Sequence, residues 1–296
     1  MRWGATLISA LIASRAIAEP ADTPKPEPES RRAKIIAAAS VGAMHAAYAT
    51  WSYFAWYRDA DTEDFHLERT TWFRTDSYSG SADKLGHFWS NYALTRGTTA
   101  VLTAAGWDRL PSSLVSAGLT ELAFTLTEIQ DGFVYGFDPK DMVMNVAGAG
   151  LAVLMDNVPA VDRLFDFRLD YFPSRDYRRA FRKTGTVDIG QDYSGQSYML
   201  ALHLGALPGM GDSDWTYWSR YVDLAVGFEA KHYVPAPEIR ENPPRQTLYM
   251  GLAFNMQGIL GDLLPPSAGR RIARGAFEVY SLPYTTLRYA ETSRSP

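Results

Sequence analysis

The sequence contains no cysteine in its 296 residues. This absence excludes disulfide bonds, a cysteine nucleophile, cysteine-ligated zinc and a lipid anchor on cysteine within these residues. Motifs that identify common reactions are also missing, since there is no Gly-rich phosphate loop followed by Lys and Ser or Thr, no G-x-S-x-G elbow and no H-E-x-x-H. The net charge of −4 does not suggest the basic surface that nucleic acids require, so we expect no nucleic-acid partner.

The first residues follow the pattern of a secretion signal. Arg2 precedes an apolar run, and an A-x-A cleavage pattern ends directly before Glu19. A buried or anchoring helix is the alternative interpretation of this run. We predict a signal peptide at 1–18, a flexible leader rich in proline and charge at 19–33, and an exported protein in the periplasm or outer membrane.

Apolar periodicity predicts a bundle of about four helices over residues 34–160. The first, at 35–57, is long enough to span a bilayer, although its Ala, Gly and Ser content also suits a close-packed core helix. The others are predicted at 81–105, 111–130 and 138–156. Ser81 or Asp83 is expected to cap the second helix, and Asp138 to cap the fourth.

The pattern changes from helical to alternating in the C-terminal part of the chain. Residues 161–185 are typical of a charged connector, and the region 186–296 contains three or four segments in which apolar residues alternate with small or polar ones. Val222, Leu224 and Val226, for example, share one face of such a segment. We predict an α+β fold, with an N-terminal helical bundle followed by a C-terminal antiparallel β-strand region.

Three of the predicted helices carry a row of polar side chains within an apolar sequence. At helical spacing these side chains share one face of each helix. The residues concerned are Asp83, Lys84, His87 and Asn91 in the second helix, Glu121 and Glu128 in the third with Asp131 beyond its end, and Asp141 and Asn145 in the fourth. Because isolated ionised carboxylates are strongly unfavourable in an apolar interior, the rows are expected to face one another and to be paired, hydrated or metal-bound.

This polar cluster supports two interpretations. As a functional site, it would bind a divalent metal or carry out acid/base chemistry. The candidate metal ligands are Asp83, His87, Glu128 and Asp131, and the candidate catalytic groups are His87, Glu128 and Asp131. As a hydrogen-bonded clamp between helices, it would need Lys84 or Arg96 to neutralise its acids. The other histidines have no comparable polar neighbours and are expected to be ordinary core or surface residues: His45, His66, His203 and His232.

Three motifs, D-K-x-x-H-F at 83–88, E-x-x-D-G at 128–132 and D-x-x-x-N-x-x-G at 141–148, resemble those of the DUF2279 family of bacterial envelope proteins. Their order is also similar to that in VanZ-like membrane proteins. The resemblance implies a location in the bacterial envelope and no established activity. It marks as motif positions Asp83, Lys84, His87, Glu128, Asp131, Gly132, Asp141, Asn145 and Gly148. Lipoprotein members of the family carry an anchoring cysteine, which is missing here, so membrane attachment is expected to use apolar surface.

These features predict a membrane-associated envelope protein with a binding or structural role. Its aromatic residues, 17 Tyr, 14 Phe and 8 Trp, suit both packed interfaces and the membrane–water boundary. A membrane lipid or an envelope component is therefore the expected partner, and a divalent metal is the candidate cofactor. The alternative is a metal-assisted or acid/base hydrolase that acts on an envelope lipid or glycan.

Overall fold

The structure, a computed structural model, describes residues 31–68, 72–184, 189–233 and 242–295. The predicted signal peptide at 1–18 and the predicted leader up to residue 30 lie outside the described residues. Within them, a helical part is followed by a mostly antiparallel sheet. The predicted α+β fold is therefore confirmed.

The described helices of the N-terminal part follow the predicted periodicity. Helix α1 covers Arg31–Ser52 and continues as a π-helix over Tyr53–Tyr57; it is followed by α2 (Ala82–Ala104), α3 (Arg109–Asp131), α4 (Pro139–Asn157) and α5 (Pro159–Leu164). Helices α2, α3 and α4 pack against one another, and α1 lies against α2 and α3. Across the described part of the chain, no helix combines the length and the apolar character that crossing a membrane requires.

The two predicted N-caps differ in their outcome. The Asp138 carboxylate accepts a hydrogen bond from the backbone N–H of Lys140 at 2.9 Å, which confirms Asp138 as the cap of α4. Ser81 occupies the N-cap position of α2, but its φ of 62° lies in the left-handed region and its side chain makes no capping hydrogen bond. Asp83 lies within the first turn of α2 rather than before it. The side-chain cap predicted for α2 is therefore wrong, because the preceding turn holds the Ser81 backbone in a different conformation.

The C-terminal part is built on a six-stranded sheet. The strands are β1 (Phe165–Tyr171), β2 (Gln196–His203), β3 (Val222–Lys231), β4 (Arg245–Phe254), β5 (Tyr280–Ser281) and β6 (Thr286–Arg294), in the order β5-β1-β2-β3-β4-β6. Strands β1 and β5 pair in parallel, whereas the other neighbours pair antiparallel. Helix α6 (Arg175–Thr184) follows β1, and helices α7 (Met256–Leu263) and α8 (Ala268–Val279) lie between β4 and β5.

Strand β1 lies inside the segment that was predicted to be a charged connector. Its apolar residues, such as Phe165 and Phe167, alternate with charged ones. The prediction took charge as a sign of exposure, yet Asp166 and Arg168 are buried because they pair with each other at 2.5 Å. Arg168 also pairs with Asp223 of β3 at 2.7 Å. Helices α7 and α8 likewise interrupt the region that was predicted to contain strands.

One face of the sheet is apolar, and it packs against the helical bundle only in part. Near β1, the ring of Phe167 contacts that of Phe88 of α2, with 4.7 Å between the centroids. Further along the same face, Leu248 is 57% exposed and Phe254 is 54% exposed. The central strands therefore present an apolar surface that no described element covers.

The opposite face of the sheet is polar and buried. Strongly curved strands bring side chains of non-neighbouring strands together on this face. The Tyr249 hydroxyl of β4 lies 2.8 Å from the Ser197 hydroxyl of β2 and reaches it across Gly227 of β3. A Cβ at Gly227 would collide with the Tyr249 ring, so this crossing requires glycine. The polar face thus forms the interior of the curled sheet.

His203 belongs to the charged network of this interior, which corrects its interpretation as a residue without polar company. Its Nδ1 lies 2.7 Å from Asp223 Oδ1, and its Nε2 lies 3.1 Å from Asp166 Oδ2. Burial lowers the pKa of His203, but the two carboxylates raise it more, to about 9. The imidazole is therefore protonated at neutral pH and acts as a counterion inside the sheet.

We expect Gly148→Ala to destabilise the protein by about 1–3 kcal/mol, because a Cβ at this position of α4 would collide with the backbone carbonyl oxygen of Phe88 in α2. Gly150 of the same helix faces open space, so Gly150→Ala is the matched control and should leave the stability equal or slightly higher. Urea unfolding gives both free energies. Equal effects of the two substitutions would contradict the close approach of α2 and α4.

Candidate functional site

The polar rows of α2, α3 and α4 meet inside the bundle. His87 of α2, Glu128 of α3 and Asp141 of α4 each place a nitrogen or oxygen atom within 4.8 Å of the others. Glu128 and Asp141 are buried, whereas His87 keeps 24% of its side chain exposed. The predicted buried Asp/His/Glu cluster is therefore confirmed, and His87 gives it one partly open side.

Lys84 neutralises the acidic end of the cluster. Its Nζ lies 2.5 Å from Asp138, 2.8 Å from Asp141 and 3.2 Å from Asp83. Burial lowers the pKa of Lys84, but the surrounding carboxylates more than offset this effect, so the pKa lies above its ordinary value. Lys84 is therefore a buried ammonium held by three acids.

Arg96, the other predicted counterion, lies in a separate network. Its guanidinium donates hydrogen bonds to Asp156 at 2.6 Å, Asp162 at 2.6 Å and Glu278 at 2.7 Å. This network joins the bundle to α8. Arg96 therefore ties the two parts of the fold together and does not neutralise the polar cluster.

Two asparagines orient the His87 ring. Asn145 Oδ1 lies 3.0 Å from His87 Nδ1 and accepts a hydrogen bond from Asn91 Nδ2 at 2.7 Å. Asn91 Nδ2 also donates to the His87 backbone carbonyl at 3.0 Å. In this orientation His87 Nδ1 lies 3.3 Å from Glu128 Oε1, and its Nε2 lies 4.0 Å from Asp141 Oδ2. The imidazole is thus placed between the two buried acids.

Glu128 carries a buried oxygen that lacks a hydrogen bond. Its Oε1 accepts no hydrogen bond within the described residues, although His87 Nδ1 lies 3.3 Å away and the side chain is almost fully buried. A buried carboxylate oxygen without a hydrogen bond is unfavourable unless a proton, a water molecule or a cation satisfies it. This atom is therefore one point in the cluster where a further group is favoured.

The electrostatics of the cluster favour uptake of positive charge. Burial raises the pKa of Glu128 to about 8, although the neighbouring His87 opposes the rise. Burial also raises the pKa of Asp131 to about 6 and raises that of Asp141. The cluster contains more acidic than basic side chains. The basic groups are Lys84 and His87, and the acids are Asp83, Asp131, Asp138, Asp141 and Glu128. Protons or a metal ion can relieve this excess of negative charge.

The remaining predicted site residues make other contacts. Asp83 accepts hydrogen bonds from Ser79 at 2.5 Å and Tyr78 at 3.2 Å, in addition to its ion pair with Lys84. Asp131 accepts from the Tyr57 hydroxyl at 2.8 Å. Among the residues that the structure describes, no hydrogen bond or ion pair connects Glu121 to the cluster, and burial alone raises its pKa to about 6. Asp141 thus joins His87 and Glu128 at the centre, whereas Asp83 and Asp131 lie at its edges.

Sequence reasoning missed the contribution of several contact residues. Asp138 was identified only as a helix cap, although its second oxygen forms an ion pair with Lys84. Tyr57 and Tyr78 lie outside the periodic rows, so spacing carried no signal for them. The position of Asp138 beside the acidic first turn of α4 is a signal that could have indicated its second role.

The helices that carry the cluster coincide with a known family pattern. Residues 70–157 match the DUF2279 family. The family is described as a predicted periplasmic lipoprotein, and the match confirms the resemblance found in the motifs. This description supports a periplasmic, envelope location. The comparisons found no match among curated proteins or solved structures.

The DUF2279 match covers α2, α3 and α4, and it therefore contains the whole His87, Glu128 and Asp141 triad. The sheet lies outside the matched residues. The more distant VanZ-like resemblance stays a prediction.

Proposed function

We propose that this protein binds a divalent cation in the bacterial envelope, with His87, Glu128 and Asp141 as the protein ligands. The observation that carries the proposal is the meeting of these three side chains within 4.8 Å of one another, with Glu128 Oε1 buried and without a hydrogen bond. One imidazole and two carboxylates form a ligand set that suits Zn²⁺ or Mn²⁺. Facing helices of a bundle are a common support for such sites.

The surroundings support a bound cation rather than only a hydrogen-bonded clamp between helices. A divalent ion between Glu128 and Asp141 would stabilise their ionised forms and relieve the excess of acids. Asn145 and Asn91 fix the orientation of the imidazole, which is the usual task of groups around a metal ligand. The partly exposed His87 leaves a side from which the ion can enter.

The direct test is calorimetric titration of chelator-treated protein with Zn²⁺ and with Mn²⁺. We expect one saturable site per chain and a loss of affinity of at least about 100-fold in His87→Ala, since even residues around metal ligands cost up to that factor. His66→Ala is the matched control, because His66 is exposed and its side chain contacts the backbone carbonyl of Asp64 rather than a residue of the triad.

The cation site would be refuted if the wild-type protein bound neither ion and the folded His87→Ala variant gave the same calorimetric titration as the wild type. Equal losses in His87→Ala and His66→Ala would refute the assignment of the ligands. Circular dichroism of each variant establishes whether it is folded before titration.

A second candidate function is hydrolysis of an envelope lipid or glycan. The observation in its favour is the short distance of 3.3 Å between His87 Nδ1 and Glu128 Oε1, on a histidine that solvent can reach. Turnover of chromogenic ester, phosphoester and glycoside probes by the metal-loaded protein tests it. Turnover that His87→Ala removes supports hydrolysis, whereas no turnover of any probe counts against it.

The apolar face of the sheet supports association with a lipid bilayer. Its exposed side chains on β2, β3 and β4 are all apolar: Leu200, Val226, Leu248, Met250, Leu252 and Phe254. Such a continuous apolar surface marks an interaction site. The expected occupant is a bilayer, because the family is described as a predicted periplasmic lipoprotein and these residues, which contain no cysteine, offer apolar surface instead of a lipid anchor.

Flotation with phospholipid vesicles tests this association. We expect the wild type to float with the vesicles and the double variant Leu248→Glu, Phe254→Glu to stay in the soluble fraction, because burying two carboxylates in lipid is unfavourable. Thr62→Glu adds a charge at an exposed position outside the sheet and is the control. A wild type that does not float would refute membrane association.

A further inference from the structure

A cavity of about 470 Å³, lined largely by charged and polar residues, lies at one end of the sheet and shares no lining residue with the metal-site proposal. It is bordered by the end of β1, the start of α6, the start of β2, the end of β3 and the turn between β5 and β6. This volume is in the range that holds a small ligand. The charges and rings on its walls indicate which chemical class fits.

Two cationic side chains at the rim are available for a ligand. Arg175 and Arg178 line the cavity, are exposed, and lie on one face of α6. Within the described residues neither side chain forms an ion pair, and Arg178 instead lies over the Phe172 ring at 5.7 Å. Guanidinium groups suit carboxylates and phosphates because they can donate two parallel hydrogen bonds.

Glu229, an acid of the cavity wall, is neutralised by protein cations. It pairs with Arg288 at 2.9 Å and with Lys231 at 3.3 Å. Asp176 lies 3.1 Å from the His232 ring. An anionic ligand on the two rim arginines would therefore not face an uncompensated carboxylate at Glu229.

The cavity also offers an aromatic wall and a carboxylate acceptor. Phe172 and Tyr284 form an edge-to-face pair with 5.4 Å between their centroids, and Tyr284 is 83% exposed. A flat apolar ring face beside polar groups suits a ring that is apolar on its faces and polar on its edges, as a sugar is. Asp170 lines the cavity and can accept hydrogen bonds from hydroxyl groups.

We propose that this cavity binds an anionic saccharide, with its acidic group on Arg175 and Arg178 and its ring against Phe172 and Tyr284. The same chemistry occurs in a free sugar acid and in a glycosylated, phosphorylated lipid headgroup. The site is independent of the cation site in the bundle, so each can fail without the other.

Titration calorimetry with glucose 6-phosphate and with glucuronate tests the site. We expect saturable binding of at least one of them, weakened by about tenfold or more in Arg175→Ala and in Arg178→Ala, since each removes a charge-assisted hydrogen bond. Tyr284→Ala should weaken binding as well. Arg182→Ala is the matched control because Arg182 is an exposed arginine of the same helix that does not line the cavity.

Three results would overturn the proposal. Neither of the two soluble sugars nor vesicles that carry a phosphorylated glycolipid bind the folded wild type; or Arg182→Ala weakens binding as much as Arg175→Ala; or inorganic phosphate binds as tightly as glucose 6-phosphate, which removes the role of the sugar. Vesicles of phosphatidylcholine with lipid A, whose headgroup is a phosphorylated glucosamine disaccharide, separate the two sources. Arg175-dependent binding that requires these vesicles assigns a headgroup, and binding to the soluble sugar acids alone assigns a free saccharide.

Discussion

Lys84→Met is expected to lower the free energy of unfolding by about 3–5 kcal/mol, the cost of removing one partner from a buried ion pair. Methionine preserves much of the volume of lysine and removes its charge. Asp138 and Asp141 would then lose their nearest cation, at 2.5 Å and 2.8 Å, while both remain buried. The substitution isolates the electrostatic role of the ammonium from its packing.

Urea unfolding at neutral pH measures this effect. Lys140→Met is the matched control, since Lys140 lies at the margin of the same cluster, with its Nζ 3.9 Å from Asp138 and 24% of its side chain exposed. The control is expected to cost less than about 1 kcal/mol, because its ion pair is long and its ammonium is partly exposed to solvent. If Lys84→Met is no more harmful than Lys140→Met, the central place of Lys84 in the cluster is wrong.

Glu128→Gln is expected to have opposite effects with and without metal. In the chelator-treated protein, the difference in unfolding free energy between the variant and the wild type should shift in favour of the variant from pH 4 to pH 7. The expected shift is on the order of 3 kcal/mol, at about 1.4 kcal/mol per pH unit. In the presence of saturating Zn²⁺ or Mn²⁺ it should lose the stabilisation that the ion gives to the wild type.

The sign of the pH effect follows from the raised pKa of Glu128. The unfolded chain releases the proton near its ordinary pKa of 4.5, whereas the folded, metal-free protein keeps it up to about pH 8. The folded state therefore binds more protons between these values, and stability falls as the pH rises through this window. Glutamine does not titrate, so it removes this part of the fall.

Thermal or urea unfolding from pH 4 to pH 8, with chelator, measures how steeply the free energy of unfolding changes with pH. Asp131 and Asp141 also have raised pKa values, so the variant should reduce the slope of the wild type without removing it. Glu121→Gln is a useful comparison because Glu121 has a smaller rise, to about 6. Identical slopes for the wild type and Glu128→Gln would show that Glu128 is ionised in the folded protein.

Local pattern was sufficient to locate the bundle and most of its cluster. The apolar periodicity predicted α2, α3 and α4 within a few residues, because each helix has one polar row and recognisable ends. His87, Glu128 and Asp141 meet because these rows can only be buried against one another. The same reasoning could not rank the acids, since Asp141 rather than Asp83 or Asp131 lies at the centre.

What could not be predicted depends on partners that are distant in sequence. Strand β1 has charged residues at alternate positions, and their burial depends in part on distant partners, Asp223 for Arg168 and His203 for Asp166. His203 likewise has no charged neighbour along its own strand, because its two carboxylates lie on β1 and β3. Such pairs leave no periodic trace within a single segment.

The network around Arg96 has a consequence for the time course of folding. Arg96 needs Glu278, which lies 182 residues later, and the Trp89 indole N–H donates to the carbonyl of Val279, 190 residues later. Contacts of such sequence separation require closure of very long loops and form slowly. Because the chain is synthesised from its N-terminus, the bundle helices emerge well before these partners, and the buried guanidinium of Arg96 acquires its full set of acids only when α8 has formed.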